Sequence, residues 1–167
     1  IQIQYTIDGD VVPAEELDRI QDRINKYEAR VKEILGGASG SAYDKSLHIY
    51  NTVCKTVSYR SGSNDQNAYG ALVEGKAVCA GYARAYQDLM NRAGIKTWFI
   101  GGEANNGSYT VSHAWNVSWI DGDCVYTDTT WGDKSTISYD YFNRSKEVFD
   151  ADHFPDSGYN SKLGSCG

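Results

Sequence analysis

Three side chains stand where they could act together: Cys79, His113 and Asp128. Cys79 opens a segment in which Tyr82, Tyr86, Leu89, Met90 and Ala93 fall on one helical stripe, closed by Gly94-Ile95 as a C-terminal cap. The spacing predicts a helix beginning at or just before Cys79. A thiol there faces unpaired N–H groups and the positive end of the helix dipole, which favours thiolate over thiol. The same N–H groups can stabilise an oxyanion at an attacked carbonyl. The plain alternative is a buried packing cysteine.

His113 lies in an extended run, Ser108–Ile120, where His113, Trp115, Val117 and Trp119 share one face. A histidine on that bulky face is either a hydrogen-bonded core residue or a base shielded from water. Asp121-Gly122 is a two-residue hairpin signal, with Asp123–Thr130 as the returning strand. Ile120 then pairs with Asp123, Trp115 with Asp128 and His113 with Thr130. Cross-strand partners share a face, so Asp128 falls on the side of His113, one diagonal step away. A carboxylate there could orient the ring and stabilise its imidazolium. A three-residue turn would put it on the other face.

Asp123, at the turn, and Asp133, beyond Trp131-Gly132, are alternative carboxylates. His48 and His153 read as solvated or structural. Trp115 and Trp131 are candidate walls of a substrate cleft, with packing as the competing reading. Tyr69, shortly before the bend at Gly75-Lys76, is a third cleft candidate.

The elements that must position these residues follow from periodicity. Ile1, Ile3, Tyr5 and Ile7 alternate as a short strand, and Asp8-Gly9-Asp10 turns the chain. From Pro13 to Leu35, Leu17, Ile20, Ile24, Tyr27, Val31 and Ile34 form an amphipathic helix ending at Gly36-Gly37. Tyr43, Leu47, Tyr50, Cys54 and Val57 mark a second helix, and 60–67 a loop. Gly81 inside the cysteine helix costs about 1 kcal/mol in propensity and suggests close approach of another backbone. Thr97–Ile100 is strand-like, and Asn105-Asn106-Gly107 turns. Helices followed by an antiparallel sheet give an α+β layout, with an N-terminal extension over 1–36 and a main domain over 37–167.

Composition bounds the function. With 41% hydrophobic and 13% aromatic residues, the 167-residue chain can build a packed core. The charge of −6 carries no Lys/Arg block, which argues against a nucleic-acid partner. No apolar run is long enough to span a bilayer. The cysteines at 54, 79, 124 and 166 lack the tight spacing of a zinc or redox motif. If Cys79 stays free, at most two of the others can pair, and Cys166 could staple the tail through Cys124. Acceptor sequences for N-glycans begin at Asn106, Asn116 and Asn143, but a glycan on the strand residue Asn116 would disrupt packing.

The stretch Gly75-Lys76-Ala77-Val78-Cys79-Ala80-Gly81-Tyr82-Ala83 resembles the nucleophile region of the transglutaminase-like superfamily. His113-Ala114-Trp115-Asn116 and Tyr126-Thr127-Asp128-Thr129-Thr130-Trp131 look like its histidine and aspartate segments, in the same order. The resemblance covers roughly residues 43–142, and is closer to compact microbial-type domains than to multidomain animal crosslinkers. It implies a papain-like fold, with a nucleophile helix packed on an antiparallel sheet. Cys79 would attack a carboxamide or peptide carbonyl, His113 would protonate the leaving amine, and Asp128 would orient His113. The Cys79 N–H would be one oxyanion donor, with the second not identifiable. No cofactor or metal is implied, and no acidic loop has the spacing of a calcium site. The implied partner is a protein or peptide, cell-wall peptides included, and the implied location is extracellular or at the cell surface.

Three functions remain open at this point: a cysteine hydrolase or peptidase, a glutamine–amine transferase, and a non-catalytic cell-surface binding module. The first two share their first half-reaction and differ in whether water or an amine reaches the thioester.

Overall fold

The computed structural model describes residues 6, 7, 10–159, 163 and 166. The chain begins with a short antiparallel pair, β1 (Thr6–Ile7) and β2 (Asp10–Val11). Of the strand expected from Ile1 to Ile7, Thr6–Ile7 is β1, and residues 1–5 lie outside the described residues. The long helix α1 (Ala14–Gly36) starts after Pro13, and its last turns bury Val31 and Ile34. Further along the stripe, Tyr27 donates to Asp88 Oδ2 at 2.6 Å and Arg92 grips Glu28 through two 2.8 Å bonds, while Ile24 remains 49% exposed. The amphipathic stripe therefore finds its partner only over its C-terminal half.

Helix α2 (Ala42–Thr56) begins with a capping box in which Ser41 and Asp44 satisfy each other's backbone N–H groups. Its Ile49, Tyr50 and Val53 interlock with Tyr82, Ala85, Tyr86, Leu89 and Met90 of α4 (Cys79–Arg92) in the main core. Fully burying a side chain such as Leu89 stabilises by about 1.5–3 kcal/mol relative to exposing it, so this interface holds the cysteine helix firmly. The helix ends as expected: Gly94 has φ 86°, and the Ile95 N–H reaches Met90 O at 2.9 Å.

Between α2 and α4 lie elements that periodicity did not reveal. Strand β3 (Ser58–Tyr59) runs parallel to β4 (Lys76–Ala77), and the one-turn helix α3 (Ala68–Leu72) is capped by Asn67, whose side chain accepts from the Gly70 N–H at 3.0 Å. The bend before the cysteine is present, with Gly75 at φ 69°.

The main sheet is antiparallel, in the order β7 (Asp123–Thr127), β6 (Thr110–Ile120), β5 (Thr97–Asn105), β8 (His153–Pro155). The hairpin register is the expected one: Ile120 pairs with Asp123 and Asn116 with Thr127. Asp121 and Gly122 have φ 52° and 94°, the positive pair that a type I′ turn requires. The returning strand is shorter than expected. It stops at Thr127 because Asp128 becomes the N-cap of a helical turn, α5 (Thr129–Gly132), accepting from the Trp131 N–H at 3.0 Å. A short helix α6 (Lys146–Phe149) precedes β8. The architecture is α+β.

A disulfide joins Cys124 to Cys166, leaving Cys54 and Cys79 free. The acceptor Asn116 is fully buried, with its amide donating to Ala83 O and Trp98 O, so it ties α4 to the sheet. Among the described residues, no helix is long and apolar enough to cross a membrane.

Candidate active site

Cys79 is the first residue of α4, half-buried and unbridged. The preceding Val78 sends its N–H to Asp65 O at 3.0 Å, which ties the entry of the helix to the 60–67 loop. Gly81 explains itself here, because a Cβ would lie 2.4 Å from Asp65 O and 2.6 Å from the Ala77 Cβ. The close backbone approach expected at Gly81 is thus real, and the glycine lets the loop pack against the first turn of the cysteine helix.

His113 projects from the middle of β6 and is 6% exposed. Its Nε2 lies 2.7 Å from Asp128 Oδ2. Cys79 also acts on the ring, its thiol favouring the charged imidazole. Burial alone would push the imidazole down, but the Asp128 charge and hydrogen bond, helped by Cys79, raise it to about 10. Asp128 is fully buried. Burial would raise its carboxyl, yet the charge and hydrogen bond of His113, then those of His153, hold it down at about 2. A buried carboxylate is tolerable only when paired and hydrogen-bonded. Here Oδ1 takes the Trp131 N–H while Oδ2 takes both imidazoles.

The second imidazole was not anticipated. His153 is 2% exposed, with Nε2 at 3.1 Å from Asp128 Oδ2 and Nδ1 at 2.6 Å from Asp152 Oδ1. Its sequence context, an Asp-His-Phe-Pro run in an aperiodic tail, carries no signal of a buried site. Edge strand β8 brings it in by pairing with β5, Ala104 opposite His153. Tyr59 was also missed. Its parallel pairing opposite Ala77 and its ring contact with Tyr82, 6.2 Å between centroids, put it beside the cysteine turn. Its hydroxyl is held above the ordinary phenol range by partial burial and by neighbouring Cys79, with the Cys79 N–H acting in the opposite sense.

The three cleft candidates separate. Trp131 stands 5.2 Å from the His113 ring and lines a cleft of about 700 Å³ with Thr130, Asp133, Lys134, Tyr141 and Asn106. Trp115 is not a cleft wall: at 2% exposure it belongs to the second core cluster with Ile100 and Phe149. It shares the His113 face and packs edge-on to His153, with ring centroids 4.9 Å apart. Tyr69 also turns elsewhere, lying under the Arg23 guanidinium at 4.2 Å in a surface groove of α1. Of the alternative carboxylates, Asp133 accepts the Tyr82 hydroxyl at 2.5 Å, and Asp123 is exposed beside the turn. His48 bonds Ile34 O at 2.9 Å, a structural role.

His113, Asp128 and His153 also bring metal-ligand types within 4.8 Å of one another. Both Nε2 nitrogens lie at hydrogen-bond distance from one carboxylate oxygen, 2.7 and 3.1 Å, a pattern that N–H donors satisfy without a cation. The arrangement fits a hydrogen-bonded chain better than a metal centre.

Comparison with known proteins follows this geometry. A family model described as the transglutaminase-like superfamily matches residues 28–132, which takes in the helix, strand and turn just described. Human and mouse kyphoscoliosis peptidase are each 29% identical to the chain over 100 residues. That match covers 49% of this chain and 15% of theirs, so the chain spans a small part of those relatives' length. Among solved structures, one described as a TGase superposes with TM-score 0.53 at 17% identity, covering 83% of this chain and 38% of that one. A Cytophaga hutchinsonii protein, assigned as a cysteine protease, superposes with TM-score 0.53 at 21% identity, covering 71% and 43%. At such identities the structural likeness speaks for the fold alone. The family match, covering more than half of the chain, goes further: the chain belongs to the transglutaminase-like superfamily.

Proposed function

We propose that this chain is a cysteine-nucleophile hydrolase of amide or peptide bonds, working through a thioester acyl-enzyme. Cys79 is the nucleophile, His113 the general base and acid, and Asp128 the residue that orients the ring. The observation that carries this reading is the His113 ring itself, held by a buried carboxylate at 2.7 Å and favoured in its charged form by both Asp128 and the Cys79 thiol. With Nε2 engaged by Asp128, Nδ1 is the nitrogen left for sulfur. The electrostatics described above favour the imidazolium at neutral pH, the form that a thiolate partner needs.

In the acylation step the thiolate sulfur bonds to the carbonyl carbon, and the carbonyl π electrons move to oxygen. The Cys79 N–H at the helix start faces the developing oxyanion. Collapse of this intermediate breaks the C–N bond, and the leaving amine takes the His113 proton. Water, deprotonated by His113, then attacks the thioester; the C–S bond breaks, the acid leaves, and the Cys79 thiolate and His113 imidazolium are restored. The cleft beside Trp131 is the proposed seat of a protein or peptide chain. The Cys124–Cys166 disulfide supports an extracellular or cell-surface setting, where such bonds persist and where a wall peptide would be met.

Incubating the protein with a glutamine-containing peptide, with and without a primary amine, tests the reaction by product mass. Cleaved peptide, or a gain of about one mass unit by deamidation, supports hydrolysis. An amide adduct with the amine would convert the reading to a glutamine–amine transferase. No product from any peptide, together with unreactive Cys79, would favour a non-catalytic binding module.

A further inference from the structure

We infer that His153 is a positioning residue of this site, a second imidazole that fixes the Asp128 carboxylate so that Oδ2 aims at His113. The inference rests on the catalytic reading above, but its geometry stands independently. A buried structural histidine needs only a partner for each nitrogen. His153 instead bonds the very oxygen that His113 uses: Oδ2 of Asp128 lies 2.7 Å from His113 Nε2 and 3.1 Å from His153 Nε2. Oδ1 is occupied by the Trp131 N–H, so the carboxylate is pinned at both oxygens.

The other end of His153 is anchored as firmly. Nδ1 meets Asp152 Oδ1 at 2.6 Å, and the Tyr141 hydroxyl donates to the Asp152 Oδ2. Each nitrogen of His153 therefore meets a carboxylate oxygen, and the ring is held at both ends. Phe149, Trp131 and Trp115 surround it at ring separations of 4.5, 4.6 and 4.9 Å, which leaves no room for the ring to swing. Its strand is placed just as tightly: a Cβ on Gly102 of β5 would lie 2.2 Å from Phe154 O, so glycine there is what allows β8 to lie so close. The resulting chain runs from Tyr141 through Asp152, His153 and Asp128 to His113. The interactions that hold Asp128 ionised include both the hydrogen bond and the charge of His153.

Three variants of the full chain test this: His153→Phe, which keeps an aromatic ring and removes both donors; His153→Gln, which restores an N–H donor; and Asp152→Asn, which weakens the anchor. Two readouts are compared: the proton resonance of His113 Nε2–H, and the rate at which a haloacetamide labels Cys79. The inference predicts a displaced His113 resonance and about 10-fold slower labelling in His153→Phe, by analogy with lost outer-shell partners elsewhere. His153→Gln should recover most of both. Should His153→Phe fail to fold, Asp152→Asn takes its place, with the same directions and a smaller effect. A folded His153→Phe or Asp152→Asn with both readouts unchanged overturns the inference. So does a His153→Gln as impaired as His153→Phe at equal melting temperature, since loss of packing then explains the effect. If Cys79 in the unmodified protein shows no selective labelling, the catalytic reading fails, while the His113 resonance still decides the role of His153.

Discussion

At the scale of single residues, the behaviour of the site follows from one buried carboxylate. Asp128 exchanges water for three donors, so replacing it with asparagine leaves His113 without its charge partner while preserving shape. Asp128→Asn is expected to lower the rate of Cys79 acylation by about 10²–10⁴-fold, the range lost when an acid–base group is disabled, measurable by stopped-flow labelling. The same pair predicts a pH dependence of stability. Asp128 is depressed to about 2 from 3.8, so its contribution is present above pH ~4 and fades as pH falls through ~2. His113 is raised to about 10 from 6.5, so its contribution is full below pH ~6.5 and is lost as pH rises through ~10. These are two views of one interaction, so their stabilities are not additive. Melting temperatures of the protein and of Asp128→Asn should converge at both extremes and differ most between pH ~4 and ~6.5. Curves that stay parallel all the way from pH ~2 to pH ~10 would contradict the pairing. The placement of Cys79, His113 and Asp128 was legible in the sequence because each sits at a structural landmark: a helix start, the interior of a strand and the end of its partner strand. His153 was not, because its contacts come from an edge strand only three residues long, without periodicity to announce it.

At the scale of elements, the hairpin shows where sequence reasoning holds and where it stops. Asp121-Gly122 set the register through backbone conformation, a local property, and so the face of Asp128 could be read. The end of β7 depended on the Asp128 side chain capping its own downstream turn, a choice between ladder and cap that alternation cannot decide. Strand β3 and helix α3 were hidden for a related reason: they are held by backbone bonds to the cysteine bend and by an Asn67 cap, not by apolar periodicity. Gly81 offers the test at this scale. Gly81→Ala forces Asp65 O or the helix start to move, an overpacking cost of about 1–3 kcal/mol. Because the displaced turn carries Cys79, denaturant unfolding should show the loss of stability and labelling of Cys79 should slow with it. An alanine variant of unchanged stability would contradict the close approach.

At the scale of the whole molecule, two clusters share the work: a helical core that fixes α4, and a smaller aromatic core under the sheet that fixes His113, Trp115 and His153. The disulfide ties Cys124 of β7 to Cys166 across 42 residues, and includes Cys166 in that second cluster. Closing a loop of this length is worth about 4 kcal/mol in the chain-entropy picture. Replacing both cysteines with serine should therefore lower the unfolding free energy by a few kcal/mol, measured by urea titration, while Cys79 keeps its reactivity in the folded protein. The N-terminal helix contributes differently, since its C-terminal half joins the main core and Ile24 stays half exposed.

The central claim is that the sulfur of Cys79 is activated by His113, and the two free cysteines provide an internal control. Cys54 is buried among α2 and α5, with its thiol pushed up to about 12, chiefly by burial and then by the Asp133 charge. Haloacetamide labelling followed by peptide mass analysis, in the protein and in His113→Ala at neutral pH, measures both thiols in one experiment. The account predicts labelling of Cys79 at least about 100-fold faster than Cys54, and loss of most of that advantage without His113. Equal slow labelling of the two, or a Cys79 rate indifferent to His113, would contradict it.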